Sequence, residues 1–84
     1  MSMMLPVDHS IVMANGASAT TPFNVSGIKS GDVLLAVVAW DPTGADPVGI
    51  DVSEGTVADG TVALDTTSTA SKLVWVMWAT PRDS

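Results

Sequence analysis

The chain has 84 residues, a mass of 8.6 kDa and nine acidic residues against three basic ones, for a net charge of −6. Three cations are too few to neutralise a phosphate backbone, so direct nucleic-acid binding is not expected. The absence of cysteine excludes a disulfide framework, an iron–sulfur site and a thiolate zinc site.

Val, Thr and Ile together supply 24 residues, whereas Lys, Arg and Glu supply four and Gln none. That balance favours strands over a helical bundle. Surface scaling at this mass buries roughly 62% of the unfolded chain's surface, which is marginal for a domain without disulfides and makes oligomerisation an expected remedy.

Taken in chain order, residues 1–6 are expected to form an apolar N-terminal arm, with Met1, Met3, Met4 and Leu5 ahead of Pro6. No basic residue precedes Lys29, so no secretory signal is expected, and the chain is expected to be soluble and made inside a cell. Strands are expected over residues 7–14, 19–26, 32–40, 48–53, 56–58, 61–66 and 72–79. Asn15-Gly16 and Asp59-Gly60 are read as tight turns, because Asn, Asp and Gly tolerate positive φ. Residues 27–32 form a further turn, residues 41–47 a loop with two prolines, and residues 66–71 the last connection. Residues 81–84 are expected as a C-terminal tail. Seven short strands at this spacing predict an all-β, single-domain antiparallel sandwich or small barrel over residues 7–80.

Alternation along the strands separates wet faces from dry ones. Residues 19–26 and 61–66 each have one polar face. Residues 32–40 and 72–79 are apolar on both. In the first of these, Val33, Leu35, Val37 and Ala39 oppose Leu34, Ala36, Val38 and Trp40. In the second, Leu73, Trp75, Met77 and Ala79 oppose Val74, Val76 and Trp78. A two-sheet sandwich buries one face of each strand, so a surplus of apolar surface is expected to meet another subunit, the alternatives being cover by a loop or the N-terminal arm and a ligand groove lined by tryptophan. Trp75 is assigned to the core and Trp78 to the surface. The expected interface residues are Met3, Met4, Leu5, Trp40, Val74, Val76 and Trp78. The longest apolar run, Val33–Trp40, is eight residues, far short of the ~20 that a membrane helix needs.

Chemistry is sparse. His9 stands between Asp8 and Ser10, but three consecutive strand residues alternate in direction and cannot assemble a triad. Asp41, Asp46 and Asp51 do not match the spacing of a calcium loop, and two of them precede prolines as turn residues do. No catalytic residue, metal site or cofactor is expected. Trp40 and Trp78 at a rim offer a second reading, a carbohydrate- or host-receptor-binding module.

Three stretches carry a family resemblance: Phe23-Asn-Val-Ser-Gly-Ile-Lys-Ser-Gly-Asp-Val-Leu-Leu-Ala-Val-Val38, Asp51-Val-Ser-Glu-Gly-Thr-Val-Ala-Asp-Gly-Thr-Val62 and Lys72-Leu-Val-Trp-Val-Met-Trp78. In the order of its strands and turns the chain resembles the small β-rich decoration, or cement, proteins of tailed bacteriophage capsids over residues 20–79. The resemblance implies a non-enzymatic virion structural protein on the capsid exterior. It also implies a homo-oligomer, often a trimer, that stabilises the major capsid protein lattice. It carries over no site residue by position, and the Met-rich start departs from the family.

Overall fold

A computed structural model describes residues 7–44 and 46–81; Met3, Met4 and Leu5 lie outside the described residues. The expected all-β sandwich is observed. In chain order the strands are β1 (Val7–Asn15), β2 (Phe23–Asn24), β3 (Val33–Trp40), β4 (Val48–Ile50), β5 (Gly55–Ala58), β6 (Thr61–Leu64) and β7 (Leu73–Pro81). Two antiparallel sheets face each other, one ordered β1-β7-β3-β4 and the other β2-β6-β5. β7 reaches Pro81, one residue into the segment expected as a tail, because Pro81 pairs with Val7.

Local chemistry explains where the elements stop. Asp59-Gly60 closes the β5–β6 hairpin, with Gly60 at φ +77°. The expected strand over 48–53 ends at Ile50, because the Asp51 carboxylate accepts the Ser53 N–H at 2.9 Å and caps a 3-10 turn over Val52–Glu54. Of residues 19–26 only Phe23 and Asn24 pair as a strand; Thr20 sits at φ +68°, in the left-handed region that no strand residue occupies.

Asn15-Gly16 is not a hairpin turn. β1 pairs with β7 and β2 with β6, so the two segments it joins belong to different sheets. Gly16 is instead required by close approach: a Cβ there would lie 2.1 Å from the Thr69 carbonyl oxygen. Thr69 is fully buried, and its hydroxyl accepts the Ala17 N–H at 3.0 Å and donates to the Ala17 carbonyl at 3.1 Å. The 66–71 connection is thereby fastened to the end of β1. Thr69→Val keeps the shape but leaves the Ala17 N–H unpartnered, and should cost about 1–3 kcal/mol in urea denaturation.

The core lies between the sheets. Val74, Val76 and Trp78 of β7 and Val37 of β3 meet Phe23, Val62 and Leu64 of the smaller sheet. Val25 and Ile28 plug one end of the sandwich, held there by the bond from Gly60 N–H to the Ile28 carbonyl at 2.7 Å and from Val25 N–H to the Gly60 carbonyl at 2.9 Å.

Candidate functional site

The alternation in β7 is as expected, but its direction is inverted. Trp78 is 2% exposed and Trp75 is 46% exposed. Val74 and Val76 are fully buried. Three of the expected interface residues, Val74, Val76 and Trp78, are therefore core residues with no surface to offer a partner. Trp75, assigned to the core, stands outside. When both faces of a strand are apolar, alternation gives the grouping of residues and not which group turns inward.

In β3 the grouping itself changes. Leu34 opposes Trp78 and Ala36 opposes Met77, so Leu35 is an extra, unpaired residue. This bulge shifts the alternation by one. Leu34, Val37 and Ala39 face inward, while Val33 and Leu35 join Ala36, Val38 and Trp40 outside. The bulge thus puts nearly all the surplus apolar side chains of β3 on one face.

The result is a ladder of rungs across the outer face of the four-stranded sheet. His9, Ala79 and Val33 form one rung and Ile11, Met77 and Ala36 the next. Then follow Met13, Trp75 and Val38, and finally Asn15, Leu73 and Trp40. Ile11 and Met13 are more than half exposed, and no acid or amine stands on these rungs. The Trp75 indole rises between two hollows of about 200 Å³ each, one lined by Val38, Trp40 and Pro47, the other by Ile11 and Met13. Trp40, the one described interface expectation that lies at the surface, shares its hollow with Trp75. With residue surfaces of roughly 200 Å², the exposed fractions of Ile11, Val33, Leu35, Trp40, Met13, Trp75 and Met77 amount to an apolar area on the order of 600 Å², at the upper end for a monomer.

Away from this face, several of the described acids serve the turns. Asp41 accepts both the N–H and the hydroxyl of Thr43, which hold its carboxyl below its ordinary value. The Ser53 N–H does the same for Asp51. Desolvation pushes the Glu54 carboxyl up, but the N–H and hydroxyl donors of Thr67 and Thr66 outweigh it and hold the group below 4.5. Lowered folded values mean that these bonds contribute stability above the unfolded pKa values and lose it as pH falls through the folded ones. Thermal melts should therefore show Tm falling below about pH 4.5, and Glu54→Gln should flatten part of that fall.

His9 is exposed on β1, and among the described residues no three potential ligands converge on a metal position. A third hollow, lined by Asn15, Gly16, Ala17, Pro22, Phe23 and Asn24, carries no titratable or nucleophilic group. Comparison with protein-family models, with curated proteins and with solved structures finds no match.

Proposed function

We propose that this protein works by association and not by catalysis. In this reading it is a capsid decoration protein on the exterior of a virion, and it lays the outer face of its four-stranded sheet against the major capsid protein lattice. The observation that carries the reading is the uncharged ladder of Ile11, Met13, Trp75, Met77, Val38 and Trp40 on a chain that is otherwise strongly acidic. Its area approaches the ~800 Å² that each partner contributes to an interface of standard size. Its centre is a tryptophan flanked by hollows, the type of residue and setting in which binding energy concentrates. The capsid part of the reading rests on the resemblance of the sequence over residues 20–79 to the decoration proteins.

A carbohydrate- or receptor-binding module is the second reading, favoured by one observation: two indoles, Trp40 and Trp75, share one hollow. Trp78, expected as one of that pair, is buried. Sugar sites surround a stacked ring with hydroxyl-bonding groups, and the other residues here are Val38 and Pro47. That lining suits a protein surface better than a glycan.

Co-sedimentation with shells assembled from the major capsid protein encoded beside this chain tests the proposal. Saturable binding is expected. No such gene alongside, or no binding to its shells, overturns the capsid reading, and glycan binding that vanishes in Trp40→Ala would establish the second one.

A further inference from the structure

The four sheet edges are unequal. β2 is two residues long, β4 three and β5 four, and β4 follows directly on Asp46 and Pro47, so these edges offer little to pair with. β1 is nine residues long, forms the edge of the larger sheet, and pairs with β7 without a bulge. It contains no proline and no lysine, the residues that commonly blunt such an edge.

The ladder shows which backbone groups are open. The Gly16 N–H donates to the Lys72 carbonyl at 2.9 Å, one rung beyond Asn15 and Leu73. Bonded and non-bonded rungs alternate in an antiparallel pair. Ala14, Val12 and Ser10 are therefore bonded to β7, while the N–H and C=O groups of Asn15, Met13, Ile11 and His9 point away from it. No other described residue bonds to the last four. Ile11 and Met13 thus turn their backbones to the open edge and their side chains to the apolar outer face.

We propose that β1 is a self-pairing edge, through which a second copy of this chain adds antiparallel to join two four-stranded sheets into one of eight. The strand is self-complementary. With Ile11 opposite Ile11, His9 meets Met13 and Val7 meets Asn15. All nine residues overlap, and each outward-turned backbone group faces another. Charge permits it as well. Asp8 is the only acid in β1, and it falls opposite Ala14; the two copies of Asp8 stand roughly 20 Å apart along the strands, beyond the ~8 Å screening length. The other described acids lie in the turns and loops from Asp32 to Asp65, none of them on β1 or β7. A strongly acidic chain therefore meets its copy along a nine-residue edge that carries a single acid. The pairing also joins two outer faces into one continuous surface. It is two-fold and gives a dimer, where the capsid-protein resemblance implies a trimer, and it does not depend on the capsid reading.

Sedimentation across a concentration series, with amide exchange read by NMR at each end of it, tests the proposal. We expect a particle of twice 8.6 kDa. The amides of His9, Ile11 and Met13 should be protected only at the concentrated end, while those of Ser10, Val12 and Ala14 should be protected throughout. Ile11→Pro removes an N–H that the chain itself does not use, and Ile11→Lys sets two ammonium groups face to face at the two-fold axis. Each should weaken the dimer at least tenfold, and if Ile11→Pro fails to fold, Ile11→Lys carries the comparison. A monomer or trimer at every concentration overturns the proposal. So does a dimer that leaves those three amides unprotected, since it would be packed face to face. Protection that does not change with dilution also overturns it, because the edge would then be covered within one chain.

Discussion

Trp78→Ala should lose about 3–5 kcal/mol of folding stability, the usual cost of truncating a large core aromatic. Trp78 is the bulkiest side chain between the sheets, with Val74 and Val76 beside it on β7 and Leu34 opposite it on β3. A domain of this length has a total stability on the order of 4–12 kcal/mol. A large share of the molecules should therefore be unfolded at 25 °C, or lie within easy reach of mild urea. The Trp78 ring also packs near Gly27, with its Cζ2 3.8 Å from where a Cβ on that glycine would stand. The loss should accordingly extend to the 25–32 loop, which Gly60 and Asp59 pin to the hairpin tip. Urea denaturation followed by far-ultraviolet circular dichroism measures it. A Trp78→Ala variant as stable as the parent would mean that the core has been assigned to the wrong face of β7.

Trp75→Ala should do the opposite. The side chain is nearly half exposed, so its removal should change folding stability by less than about 1 kcal/mol, as surface substitutions usually do. Association through the outer face should weaken by about 2–4 kcal/mol, the range of an interface hot spot, which is roughly 30- to 1,000-fold in Kd. The reason is geometric. Trp75 separates two hollows, one with Trp40 and Pro47 and one with Ile11 and Met13, so its loss merges them and removes the feature that a partner surface must fit. Binding isotherms on assembled shells, taken beside denaturation curves for the same two variants, separate the roles of the two tryptophans. Equal binding by Trp75→Ala and the parent would show that the outer face is not the contact.

Much of the architecture is legible in the sequence, and the parts that are not share a cause. Strands of five or more residues announce themselves by β-branched runs between turn residues, and Asp59-Gly60 marked its hairpin correctly. Asn15-Gly16 carried the same turn signature, but its glycine answers to Thr69 in the connection before β7, a contact that no local pattern encodes. Residues 19–22 alternate as a strand would, yet Thr20 turns left-handed where the Thr20 N–H reaches the Leu64 carbonyl at 2.7 Å.

The surplus apolar face was legible as a surplus and not as a location. In β7 the alternation separated Trp75 from Trp78 without saying which turned inward. In β3 the extra residue at Leu35 reversed the grouping halfway along, and nothing in an unbroken apolar run marks a bulge. The edge strand gives no signal either. In β1 the series of His9, Ile11, Met13 and Asn15 and the series of Asp8, Ser10, Val12 and Ala14 carry two polar residues each, so composition marks neither of them, nor their partners on β7, as the outer one.

The central claim is that the outer face of the four-stranded sheet, with Trp75 at its centre, is the contact surface, and hydroxyl-radical footprinting of the free and the shell-bound protein tests it most directly. In the free protein Met13, Met77 and Trp75 should be oxidised readily and Trp78 spared, because the first three are exposed and the last is buried. On binding, the oxidation of Met13, Met77 and Trp75 should fall together. Equal oxidation of these three residues in the free and bound states, or a Trp78 that reacts in the folded free protein, would contradict it.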